Sequence, residues 1–190
     1  MMSNKILEQM WAILAPVDIK DFEVVAGAAN PDRYDAYEQK LGFTLPEAFR
    51  ELSLSKIGGV LVSARAEVWP QAKAFDVGPA WTFWRGVMVF GLAPDVPDWL
   101  NLERMLDRAR EEGAPDDFAP VLKVEGDGHV FGYRPDHTLA VFNGYDIEPD
   151  EAGSFAELYR REINALLARL GDMKTLQAER AANKKKPRLP

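Results

Sequence analysis

Three short apolar runs follow one another with almost nothing between them: Val121-Leu122-Lys123-Val124, His129-Val130-Phe131-Gly132-Tyr133 and Leu139-Ala140-Val141-Phe142. Gly126-Asp127-Gly128 separates the first two and Pro135-Asp136 the second pair. Connections this short can join only antiparallel neighbours, because a parallel crossover needs roughly a dozen residues or more. Asp-Gly and Gly-Asp also tolerate the positive φ that tight hairpins demand. The segment is therefore expected to be a three-stranded meander. That argues against a doubly wound parallel sheet.

The other elements group around this meander. Residues 3–14 read as a helix capped by Ser3, with Ile6, Leu7, Met10, Trp11 and Leu14 at helical spacing and Pro16 as its end. Residues 17–30 read as loop or edge strand. Asn30-Pro31 starts a helix striped by Tyr34, Tyr37 and Leu41 and stopped by Gly42. Thr44 is expected to cap the next helix, opened by Pro46, with Glu47 in its first turn and Phe49 and Leu52 facing inward. Gly58-Gly59 breaks that helix ahead of a strand at Val60-Leu61-Val62. Pro70 and Pro79 interrupt a tryptophan-rich stretch, 67–86, and Val87–Gly91 reads as a buried strand. Asp98 is expected to cap a helix carrying Leu102, Met105, Leu106 and Ala109, with Gly113 as its stop. Ser154 and Glu157 form a capping box for a long closing helix bearing Phe155, Leu158, Tyr159, Ile163, Leu166, Leu167 and Leu170. Past Gly171 only Met173 and Leu176 offer further apolar anchors, so 177–190 is expected to fray. Consecutive strands with helices set apart from them argue an α+β fold, a single domain closed by a long C-terminal helix.

Composition narrows the chemistry. The 190 residues include no Cys and two His. Thiolate metal sites, Cys nucleophiles and disulfides are thereby excluded. Neither glycine turn continues as a phosphate-binding motif, and no GxSxG occurs. The formal net charge is −7. Lys184, Lys185, Lys186 and Arg188 all fall in the last nine residues, which hold no anion, so the body before them carries 19 cations against 30 anions, −11. Such a body repels nucleic acid and anionic membranes and attracts basic partners. Glu8 and Gln9 interrupt the only apolar run near the N-terminus, which does not read as a signal peptide, and no run approaches the ~20 residues of a membrane span. The expected location is the cytoplasm.

Several pieces then fall into a recognisable order. They are Gly42 with Leu45-Pro46, a helix, Gly58-Gly59, the Phe90-Gly91 strand end, Val121-Leu122 leading to Gly126-Asp127-Gly128 and two strands, and Ser154-Phe155 opening the closing helix. In this the chain resembles the SUKH superfamily, the Smi/Knr-like proteins. The resemblance covers residues 30–170, leaving 1–29 as an N-terminal helix and loop and 171–190 as a helix end and basic tail. It implies a largely antiparallel curved sheet flanked by helices. It also implies a non-enzymatic immunity protein of a polymorphic toxin system, which binds a cognate bacterial toxin domain, nucleases among them, and occludes its active site. The fungal branch of the family suggests an alternative, an intracellular regulatory or scaffold protein. A metal-assisted hydrolase built on carboxylates and His129 is a third reading. The tryptophan-rich stretch and the lysine tail depart from the family pattern.

Candidate partner-binding residues follow from charge and aromaticity. Asp146, Glu148, Asp150 and Glu151 form an acidic cluster in the loop expected before the last helix. Asp116 and Asp117, after Glu111 and Glu112, form a second. Trp81 and Trp99, flanked by Pro and Asp residues that include Asp95 and Asp98, are the tryptophans expected to face a partner, since Trp is enriched at binding hot spots. Trp84 is expected in the core. His129 and His137, with Asp127 and Asp136, match no metal-ligand spacing and are expected as a solvent-facing pair on the sheet. No catalytic residue, cofactor, metal or nucleic acid is expected; the partner is a basic protein toxin, and the oligomeric state is left open.

Overall fold

The computed structural model describes residues 5–71 and 78–184, with the side chain of residue 184 outside that description. The expected cap Ser3, Asp76 of the tryptophan-rich stretch and the side chains of the basic tail fall outside the described residues.

The strands are β1 (Phe22–Gly27), β2 (Gly59–Ala64), β3 (Gly86–Val89), β4 (Ala119–Val124), β5 (Val130–Tyr133), β6 (Leu139–Phe142) and β7 (Ile147–Pro149). They form one seven-stranded sheet in sequence order, every neighbouring pair antiparallel. The expected meander is its β4–β6 portion. The sheet is open, with β1 and β7 at its edges. Pro120 and Leu122 bracket a register shift against β5, a bulge that bends the sheet there.

Two rows of side chains define the faces, because side chains alternate along a strand. Val62, Val87 and Val124 stand in register and are buried, as are Val60 and Val89. Helix α1 (Lys5–Leu14), α3 (Glu47–Ser53) and the long α5 (Phe155–Lys184) form a packed group. Phe49 meets Tyr133 and Phe155 edge-on, at centroid distances of 5.8 and 5.1 Å. The opposite row runs Val25, Leu61, Met88, Lys123 across β1–β4 and remains partly open. Helix α4 (Leu102–Glu111) covers one end of that face, and α2 (Pro31–Leu41) ties to α4 through Lys40–Asp107 at 2.7 Å. The architecture is α+β in a single domain with a long C-terminal helix. No helix among the described residues is long and apolar enough to cross a membrane.

Most helix signals act as the sequence indicates. The Asn30 side chain accepts the Asp32 N–H, and Gly42 ends α2 at φ +89°. Four expectations need correction. Thr44 caps nothing: α3 begins behind Pro46, and the Thr44 carbonyl accepts a hydrogen bond from His137 Nε2 at 3.0 Å instead. Asp98 does not cap α4 but opens a 3-10 turn (Asp98–Leu100); Asn101 caps, its Oδ1 accepting the N–H groups of Glu103 and Arg104 at 2.9 and 3.2 Å. The loop expected at 146–151 contains β7, an edge strand whose alternation is hidden because only Ile147 reaches the interior. The stretch expected to fray from 177 is instead helical as far as residue 184, as the last part of α5. It is held there by buried Met173, by Lys174 on Asp21 at 2.6 Å and by the Gln177 amide donating to the Val68 carbonyl at 2.8 Å.

Candidate partner-binding surfaces

The antiparallel registers place the sheet's turns at two ends. One end holds Phe22, Ala64, Gly86, Val124, Val130, Phe142 and Ile147; the other holds Gly27, Gly59, Val89, Ala119, Tyr133, Leu139 and Pro149. The expected site residues divide between them.

At the first end the β6–β7 hairpin protrudes. Its turn is built by Asn143, whose Oδ1 accepts the N–H groups of Tyr145 and Asp146, each at 2.9 Å, and by Gly144 at φ +93°. This local hydrogen bonding fixes the loop from within its own four residues. Tyr145 is left 92% exposed at the tip. Asp146 and Glu148 are exposed beside it and form no ion pair among the described residues.

Asp150 and Glu151 lie at the other end of β7. Asp150 is not a free anion. Its side chain is 7% exposed and takes both Arg161 Nη atoms, at 3.0 and 2.9 Å, while Oδ1 accepts the Ala152 N–H at 2.8 Å. Donating hydrogen bonds to Asp150 pushes the Arg161 guanidinium further above its usual range. Asp150 therefore anchors α5 to β7, and only Glu151 of that pair faces solvent.

The second acidic cluster is largely matched by cations. Arg134 bonds Asp117, and Arg110 lies 3.4 Å from Asp116. Asp98 is 3.7 Å from Arg104, and Asp95 is exposed. Trp81 is half-buried, edge-on to buried Trp69 at 6.1 Å. Trp84, expected in the core, is half-buried under the Arg169 guanidinium at 5.7 Å.

Trp99 is 47% exposed and rims a recess of about 340 Å³ on the open sheet face. Leu61, Met88 and Met105 line it, with Lys123 and Arg108, and with Glu125 accepting from the Ser63 hydroxyl at 2.8 Å. Burial, reinforced by the Arg108 charge, holds the Lys123 ammonium below the usual lysine range.

The two histidines do not pair. His129 Nδ1 lies 2.7 Å from Asp127 at one end of the sheet, while His137, at φ +66°, binds Thr44 at the other. Among the described residues no three His, Asp or Glu side chains are grouped to hold a metal.

Sequence reasoning missed two features. Tyr145 was announced by Asn143-Gly144, the strongest short hairpin signal, but β7 is too short and polar to read as the second strand. The recess assembles Leu61, Met88, Trp99 and Lys123 from separated segments, so no local pattern could show it. Compared with protein-family models the chain matches none, and compared with curated proteins it finds no significant match.

Proposed function

We propose that this chain is a non-enzymatic inhibitory binding protein of the toxin-immunity kind, which places its β6–β7 hairpin in the basic functional cleft of a partner protein. The observation carrying this reading is Tyr145, almost wholly exposed on a turn fixed by Asn143 and flanked by the carboxylates of Asp146 and Glu148, which pair with no cation among the described residues. Exposing so large an aromatic ring has no stabilising role in the free chain. On a pre-ordered turn it loses little entropy on binding. A cleft that binds nucleic acid takes planar rings by stacking and phosphates by Arg and Lys. A tyrosine ring beside two carboxylates offers both chemistries. The acidic body steers the encounter, since opposite potentials raise association rates.

The test is parallel affinity capture with the native chain and with the triple variant Tyr145→Ala, Asp146→Lys, Glu148→Lys. The expected result is one basic protein retained by the native chain, lost by the variant, and stoichiometrically inhibited by the native chain once purified. Identical retention by both baits would remove the hairpin from the interface and overturn the reading.

A further inference from the structure

The two edges of the sheet are built differently. Arg65 N–H donates to the Asp21 carbonyl at 2.8 Å, and residues 21 and 65 continue the β1–β2 register. In an antiparallel pair, hydrogen-bonded and non-bonded positions alternate. Glu23, Val25 and Gly27 therefore direct their backbone groups to β2, while Val24 and Ala26 direct theirs away from the sheet. The neighbouring outward N–H, that of Phe22, is already taken by the Asp18 carbonyl at 2.9 Å. At the other end Gly27 is closed by Ala93, which lies 2.7 Å from where a Gly27 Cβ would stand. Between these stops, the N–H and C=O groups of Val24 and Ala26 carry no hydrogen bond among the described residues and form an open template.

The opposite edge is blunted. Asp150 N–H bonds the Leu139 carbonyl and Asn143 N–H the Asp146 carbonyl, so the outward positions of β7 are Ile147 and Pro149. Proline carries no N–H, and a short strand ending in proline is a standard defence against strand addition. β1 has no proline, and Val24 and Val25 are 43% and 45% exposed on its two faces. Glu23, 62% exposed and held only at 3.5 Å by Arg65, adds an anion on the face it shares with Val25.

We infer that the β1 edge is a docking site for an extended, cation-bearing segment of a partner protein, added as an eighth strand. The backbone of Val24 and Ala26 supplies the ladder, as in other strand-addition complexes. A segment of alternating Lys or Arg and apolar residues fits it: the cations lie beside Glu23 and the apolar residues beside Val24. The charge of the acidic body favours the same segment. This surface lies apart from the Tyr145 hairpin, and the inference stands or falls independently of it.

The probe is a blocked octapeptide of alternating Lys and Val added to the full chain, read by residue-resolved amide hydrogen exchange. Exchange at Val24 and Ala26 is expected to slow about tenfold or more, with Glu23 and Val25 already protected by β2. The Ala26→Pro variant removes one outward N–H without touching the β1–β2 ladder. It is expected to lose the protection while Val62 and Val87 keep native exchange; Val24→Pro serves equally if Ala26→Pro does not fold. The inference is overturned by unchanged exchange at Val24 and Ala26, or by equal slowing with a Glu-Val peptide. It is equally overturned by protection without peptide, whether that protection rises with protein concentration, meaning a second copy occupies the edge, or disappears on deleting residues 185–190, meaning the chain's own tail does.

Discussion

Gly59 and Gly91 meet backbone against backbone: a Cβ on Gly91 would lie 2.5 Å from the Gly59 Cα, and a Cβ on Gly59 would lie 2.9 Å from the Gly91 Cα. Gly91 also sits between two hydrogen bonds, its N–H on the Leu100 carbonyl and its C=O accepting from Leu102, each at 2.9 Å. The contact thus locks the start of β2 to the chain entering α4. Neither backbone can retreat without breaking a bond, so Gly91→Ala is expected to destabilise the fold by about 2–3 kcal/mol, the upper part of the usual overpacking range. Gly128→Ala, where nothing lies within 4 Å, is expected to stay within about 0.5 kcal/mol. Urea unfolding of the two variants measures the difference.

Asp150 and Asp146 are four residues apart and have opposite roles. Asp150 holds Arg161 with two hydrogen bonds and is itself nearly sealed from solvent. Its removal leaves the guanidinium over the Phe131 ring, 5.4 Å from the centroid, without that carboxylate. Arg161 is partly solvated, which limits the loss, so Asp150→Ala is expected to cost about 1–2 kcal/mol. Asp146→Ala should change stability by less than about 0.5 kcal/mol, because its carboxylate has no ion-pair partner among the described residues to lose. Equal losses in thermal or urea unfolding would contradict this division of the acidic cluster into one anchor and free anions.

If the β6–β7 hairpin seats in a partner's cleft, the same division sets the expected kinetics. With a cognate partner in hand, Asp146→Lys with Glu148→Lys is expected to slow association about tenfold at low salt and to flatten its salt dependence. Tyr145→Ala is expected to act on dissociation, weakening affinity by about 2 kcal/mol, the threshold of a hot spot. Stopped-flow kinetics at two ionic strengths separate the effects. If the charge reversal changed dissociation alone, steering by this hairpin would be wrong.

What the sequence revealed and what it concealed differ by the range of the interaction. The meander was legible because Gly126-Asp127-Gly128 and Pro135-Asp136 set their turns through local backbone preferences. The Asn30-Pro31 and Ser154–Glu157 helix starts are local too, with the Glu157 carboxylate reaching the Gly153 N–H at 2.8 Å. Asp98 misled because the chain makes one 3-10 turn before Asn101, and both residue types suit a cap. The continuation of α5 past Gly171 depends on Asp21 and Val68, more than a hundred residues earlier, which no helical periodicity contains. The site divided in the same way. Acidic clusters were visible as composition, but the burial of Asp150 required Arg161 to lie opposite, and the exposure of Tyr145 required β7 to exist.

Lys123 is the one residue of the sheet-face recess whose charge works against the fold. It stands on the open face between Met88 and Arg108, half-buried and without a carboxylate partner among the described residues. Desolvation, with Arg108 adding to it, lowers its folded pKa beneath the ordinary lysine value. For a base the sign follows directly. Below the depressed pKa the ammonium is charged in both states, and the folded state bears the penalty. As pH rises from the depressed pKa towards the unfolded value of 10.5, the folded chain releases the proton first, and this contribution to instability fades. Lys123→Met keeps the apolar stem and discards the charge. It is expected to raise the melting temperature at pH 7 and to show a smaller advantage at pH 10 than at pH 7. A melting temperature lowered at pH 7 would mean that the recess needs its cation, and that Lys123 pairs with a group on the face in solution.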